Sequence, residues 1–136
     1  MNVRIFLTLT AVMNLFYGAW YFLAPDNVAS VYGFAAVATE LSQWMLRFLG
    51  VFSLAAGVMC AVGRNAEKSP GRTAILTFQA VAGLLCFYLD VKTLMGTPGT
   101  MDWVDTVVNG AFGLGAAFYI LRDRKPANET KQTGEA

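Results

Sequence analysis

Four apolar stretches alternate with short polar breaks along the chain, at residues 5–24, 42–62, 73–95 and 103–121. Each is close to the ~20 residues an α-helix needs to cross a ~30 Å hydrocarbon layer at ~1.5 Å per residue. With no water there, backbone N–H and C=O groups must be satisfied within the segment, which selects helix. The pattern predicts an all-α fold, an integral membrane four-helix bundle over residues 1–125. After Lys125 the chain is polar and aperiodic, so 126–136 reads as a disordered cytoplasmic tail. The first stretch exceeds the ~7–15-residue apolar core of a signal peptide, and Phe22-Leu23-Ala24 lacks a small residue at the −3 position. It is predicted to be a retained helix.

The breaks carry their own signals. Pro25-Asp26-Asn27 stops the first helix and can cap a short turn over residues 28–32, which Gly33 can end. This connection is amphipathic and suits the bilayer interface. Gly96-Thr97-Pro98-Gly99 reads as a plain turn. Gly50-Val51-Phe52-Ser53-Leu54-Ala55-Ala56 resembles Gly110-Ala111-Phe112-Gly113-Leu114-Gly115-Ala116, and each run follows a boundary tryptophan. Two repeated helical hairpins in one orientation would explain this; so would chance matching of Gly/Ala/Phe-rich helices.

Composition agrees with a lipid solvent: 56% of the 136 residues are hydrophobic and 14% charged, against about 25% charged in soluble domains. A net charge of +1 gives no reason to expect nucleic acid. The distribution of charge says more. Arg4, Arg64, Lys68, Arg72, Arg122, Arg124, Lys125 and Lys131 flank one set of helix ends. The other set holds Arg47 and Lys92 among Asp26, Glu40, Asp90, Asp102 and Asp105. The positive-inside rule then puts both termini and the middle loop in the cytoplasm. Trp44 and Trp103 fall at the outer boundary, where aromatic belts form.

Helical spacing gathers polar and small residues onto one face of each stretch. These are Asn14, Tyr17, Gly18 and Tyr21; then Arg47, Gly50, Leu54, Gly57 and Ala61; then Gln79, Gly83, Cys86 and Asp90; then Asp105, Asn109, Gly113 and Ala116. Gly50, Gly57, Gly83 and Gly113 would let helix backbones approach, and the amides would bond across the bundle. Arg47 lies ~7 Å below the outer edge of its helix at ~1.5 Å per residue. Unpaired, it would cost about 2.5–3.5 kcal/mol on an insertion scale. Pairing with Asp90 or Asp105, beside Asn109, Tyr21 and Asn14, is the economical expectation. Such a cluster would fix helix register, or form a shallow outward pocket for an anionic head group or small ligand.

Several chemistries are argued against. The chain has no histidine, the commonest general base and metal ligand, so neither a metal nor a cofactor is expected. Cys60 and Cys86 differ by ~13 Å in depth at ~1.5 Å per residue, beyond the ~7 Å that a disulfide spans. No serine or threonine has a recognisable base partner, and no phosphate loop follows a strand. An enzyme is not expected.

At Arg47-Phe48-Leu49-Gly50, with Gly57 seven residues on, the chain resembles the small four-helix bacterial membrane proteins grouped as DoxX-like. The resemblance covers the helical region in size, spacing and topology. It implies a bundle in a bacterial inner membrane, and it brings no catalytic residues. Some of those proteins are named as subunits of quinone-linked oxidoreductases. The first functional expectation is therefore a non-catalytic accessory or assembly subunit of a larger membrane complex, or a homo-oligomer. The alternative is a bundle that binds or transports a small ligand or lipid head group through Arg47, Asp90, Asp105 and Asn109. A quinone beside Tyr17 and Tyr21 ranks third.

Overall fold

Polar residues just outside each apolar stretch decide where the helices start. The computed structural model describes residues 2–96 and 99–124. Its long helices are α1 (Val3–Leu23), α3 (Glu40–Gly63), α4 (Pro70–Leu94) and α5 (Thr100–Arg124), with a short α2 (Pro25–Val31) and a 3₁₀ turn (Ala35–Val37) after α1. Asn2 caps α1 by accepting from the Arg4 N–H at 3.1 Å. Thr39 and Ser42 form a reciprocal capping box on α3, and Ser69 caps α4 with Pro70 at its first position. These caps recruit polar residues into the first turn. Helices α1 and α3 consequently begin two residues before the apolar stretches and α4 three; α5 also begins three residues early, with Asp102 in its first turn. Among the described residues there is no strand. Four helices are long and apolar enough to cross a membrane: α1, α3, α4, and α5 over Thr100–Asp123.

The connection after α1 is more ordered than a simple turn. Gly33 adopts φ +79°, a left-handed conformation that favours glycine. That turn lets Phe34 N–H reach the Ala29 carbonyl at 2.9 Å and Gly33 N–H the Ser30 carbonyl at 3.1 Å. Trp20 Nε1 donates to Asn27 Oδ1 at 2.8 Å, and Gln43 hydrogen-bonds Asp26. Both ends of α2 are thus tied down. Pro25, Val28 and Ala29 turn inward while Asp26, Asn27 and Ser30 stay exposed, so α2 lies over one end of the bundle with its apolar face down. Residues 97 and 98 of the expected turn, and the expected tail over 126–136, lie outside the described residues.

Helix packing is organised as two close pairs, α1 with α3 and α4 with α5. In the first pair, a Cβ on Gly50 would sit 2.7 Å from Phe22 N and 2.8 Å from the Gly18 carbonyl oxygen. Gly57 packs equally tightly on Leu15. In the second pair Gly83 and Gly113 face one another, with a Gly83 Cβ 2.8 Å from Gly113 Cα. The two pairs are built alike, each crossing at facing glycines. The counterpart of Gly50 in the second pair is Gly113, three residues beyond the glycine with which the sequence repeat aligns it; Gly110 meets the Phe87 ring instead.

The pairs join at the end that holds the α3–α4 loop. Phe6, Leu7, Cys60, Leu76, Ala116 and Tyr119 form one buried cluster there. At the same end Arg72 Nη2 meets Asp123 Oδ2 at 2.5 Å. Outside this cluster the helices are apolar on the surface as well: Leu23, Val62 and Met95 are 76%, 78% and 83% exposed. Trp44 and Trp103 are also exposed. Soluble monomers rarely expose so many large apolar side chains.

Candidate functional site: a polar cavity between the two helix pairs

Away from the buried cluster, towards the α2 end, the pairs separate around a cavity of about 250 Å³. Its polar wall follows from helical spacing. On α1, Asn14, Tyr17 and Tyr21 recur at intervals of three and four residues and share a face. On α5, Asp105 and Asn109 are one turn apart, and α4 contributes Gln79 and Cys86. The apolar wall is aromatic, with Phe52 of α3, Phe78 of α4 and Phe112 of α5. The exposed members of this lining, Leu49, Phe52, Phe78 and Cys86, all lie on α3 or α4, whereas those from α1 and α5 are at least partly covered. The cavity therefore opens sideways, between α3 and α4.

Phenol groups close the α2 end. Tyr32, just beyond α2, donates to Asp105 Oδ2 at 2.5 Å. Because that proton is committed, the 3.0 Å contact between the Tyr21 and Tyr32 hydroxyls has Tyr21 as donor. The chain Tyr21 to Tyr32 to Asp105 links α1, the α2 connection and α5. Burial, and then the hydrogen bond to Asp105, push the Tyr32 phenol far above its ordinary range, so it holds its proton and remains a donor. Tyr17 also stands against the Asp105 carboxylate.

The amides are oriented by what they donate to. Asn109 Nδ2 donates to Asp90 Oδ2 at 2.8 Å, Asn14 Nδ2 to the Thr10 carbonyl at 2.9 Å, and Gln79 Nε2 to Cys60 Sγ at 3.2 Å. Carboxylates and carbonyls only accept, so the first two orientations are dictated by chemistry.

Of the residues singled out in the sequence, Asp105, Asn109, Tyr21 and Asn14 line the cavity together. Asp90 stands one step behind, holding Asn109. The expected pairing of Arg47 with a carboxylate does not form. Arg47 is exposed, and the one ion pair among the described residues is Arg72–Asp123. The cause is azimuthal: at about 100° per residue, Arg47 lies roughly 170° around α3 from the mean direction of Leu49, Phe52, Ser53 and Ala56. It shares the polar stripe yet points away from the cavity. Its expected place beside Asp105 is taken by Tyr32, which sequence reasoning missed. The available signal was three of the chain's five tyrosines near one another, Tyr17 and Tyr21 one turn apart and Tyr32 in the amphipathic connection.

Chemically the arrangement can bind but offers few reactive groups. Both cysteines are free, Cys60 buried and Cys86 on the cavity wall. Among the described residues no three of His, Cys, Asp or Glu gather into a metal site. Compared with protein-family models, with curated proteins and with solved structures, the chain matches none.

Proposed function

We propose that this chain is an integral membrane four-helix bundle that binds a small molecule in the cavity between its two helix pairs. One observation carries the reading: a carboxylate and three amides line a partly enclosed space within helices whose outer surface is apolar. Ionisable and amide groups at membrane depth are costly, and they persist where they pair, line a pathway or hold a ligand. Here the cavity leaves room for the last. Its volume of about 250 Å³ suits a head group or a short segment of chain, just below the ~300–1,000 Å³ of drug-sized pockets.

The accessory-subunit role needs a partner-facing surface. The exposed apolar faces of the helices are equally satisfied by lipid, so the cavity favours ligand binding over docking. The bacterial inner membrane is the compartment this reading adopts, on the resemblance at residues 47–50. Basic residues at the α3–α4 end orient the bundle with that end and both termini in the cytoplasm, so the cavity sits in the outer half.

Two measurements test the proposal. Chain purified at native expression level in a gentle detergent should carry a small molecule visible by native mass spectrometry. Ala82→Trp, which puts an indole into the cavity, should lose that mass while keeping its helical circular dichroism. A retained mass indifferent to Ala82→Trp would place the ligand elsewhere and overturn the reading. Orientation is checked by labelling single cysteines in sealed right-side-out vesicles with a membrane-impermeant maleimide. Asn27→Cys should label from outside and Lys68→Cys should not. Equal labelling of both would refute the four-crossing arrangement.

A further inference from the structure

The hydrogen-bond inventory of the cavity narrows the ligand's chemistry, given the binding role just proposed. Asn14, Asn109 and Gln79 each spend an amide N–H on a group of the protein. Among the described residues their carbonyl oxygens accept no hydrogen bond, yet none counts among the buried unpartnered atoms. They therefore keep open surface, and the cavity is the space these residues line. Asn14 and Asn109 are the clearest cases, since each amide donates to an oxygen that can only accept. Asp105 adds a carboxylate, an acceptor with capacity beyond the protons that Tyr32 and Tyr17 bring to it. The Tyr21 proton is committed to Tyr32. The Ser53 hydroxyl can turn to accept as readily as to donate.

Charge points the same way. Asp105 lies near Asp90 and Asp102, and no described cation lines the cavity. Arg47 faces away, and Lys92 lies over the Tyr88 ring at 5.5 Å. An anionic head group, the ligand expected from the sequence, would meet carboxylate and carbonyl oxygens without a counter-charge. The complementary group is a cation rich in N–H donors. A primary ammonium has three donors and no acceptor. Behind it, Phe52, Phe78 and Phe112 form an apolar wall that leads to the opening between α3 and α4. In a bilayer that opening faces hydrocarbon.

We infer that the cavity binds a primary ammonium carried on an apolar tail, the head group held by Asp105 and the carbonyl oxygens of Asn14, Gln79 and Asn109, the tail leaving between α3 and α4. A free long-chain amine and the head group of an aminolipid present this same chemistry.

The test is equilibrium binding of radiolabelled dodecylamine to the full chain in phosphatidylcholine nanodiscs, with empty nanodiscs subtracted. One saturable site is expected, and Asp105→Asn should weaken it at least about tenfold, the usual consequence of losing a charge-assisted hydrogen bond. Asparagine can still accept from Tyr32, so the variant keeps that link. Should it nevertheless fail to fold, Asn14→Leu gives the same readout, because the Asn14 side chain donates only within its own helix. Dodecanol and dodecyl sulfate should show no saturable component, and dodecyltrimethylammonium should bind more weakly than the amine. Competition by added phosphatidylethanolamine would identify the aminolipid as the source, and its absence the free amine; either supports the assignment. Unchanged affinity in the variants, or trimethylammonium binding as well as the amine, would overturn it. Saturable binding of dodecanol that Ala82→Trp abolishes would keep the binding role and sink the ammonium. No saturable binding of any of these probes would sink both.

Discussion

Replacing Asp123 by alanine is expected to destabilise the bundle by about 3–5 kcal/mol, the cost of stranding a buried charge. Asp123 Oδ2 meets Arg72 Nη2 at 2.5 Å, with only 10% and 15% of the Arg72 and Asp123 side chains exposed. Among the described residues the remaining bonds of the guanidinium are few: Nη1 donates to the Ala66 carbonyl at 3.3 Å, and Nε has no partner. Without Asp123 the cation has one weak acceptor and little water. The pair also sits at an awkward electrostatic address. Arg72 lies in the first turn of α4 and Asp123 in the last turn of α5, each opposed by its own helix dipole and favoured by its neighbour's. Pairing across the antiparallel helices resolves both conflicts. Thermal unfolding in detergent, followed by circular dichroism, reads the effect. The double variant Arg72→Met with Asp123→Leu should recover most of the loss, since apolar replacement of a buried pair is often neutral. A loss below about 1 kcal/mol for Asp123→Ala would mean the pair behaves as a solvated surface bridge.

Gly50→Val is expected to cost about 3 kcal/mol or more, at the upper end of what overpacking does. Its Cβ would sit 2.7 Å from Phe22 N and 2.8 Å from the Gly18 carbonyl oxygen, and both atoms belong to the α1 backbone. A side-chain clash can relax by changing rotamer, but a backbone clash is relieved only by moving the helix. Helix α1 also carries Asn14, Tyr17 and Tyr21, so separation of α1 from α3 should disturb the cavity as well as stability. Gly71→Ala is the control. Gly71 is exposed in the first turn of α4, and the nearest atom to an added Cβ is Ser69 Oγ at 3.9 Å. That substitution should be neutral, or stabilising by up to ~1 kcal/mol through helix propensity. Equal losses in the two variants would show that glycine is needed at position 50 for something other than close approach.

Much of the architecture is legible in the sequence because it depends on spacing along one helix. Apolar runs of about twenty residues identify α1, α3, α4 and α5, and the polar residues beside them explain where each begins. The intervals linking Asn14 to Tyr21 and Asp105 to Asn109 put those residues on common faces, and both faces line the cavity. The glycines at 50, 57, 83 and 113 announce close packing by their stripe alone, and each meets a neighbouring helix.

Arg47 marks where this reasoning ends. Its spacing from Gly50 is as good as that of any residue on the stripe, but a stripe is about 100° wide and a packed helix spends its two edges differently. The face of α3 bearing Gly50 and Gly57 is consumed by α1, one flank looks into the cavity, and Arg47 falls on the other. Likewise, nothing along the chain says that Tyr32, 73 residues from Asp105, would supply its hydrogen bond. Helix existence, length, caps and face composition follow from local chemistry, and the sequence alone determines them. The rotation of each helix about its axis is set by all its neighbours at once. Only the packed structure could therefore decide that the cavity presents acceptors and a carboxylate and turns its arginine away.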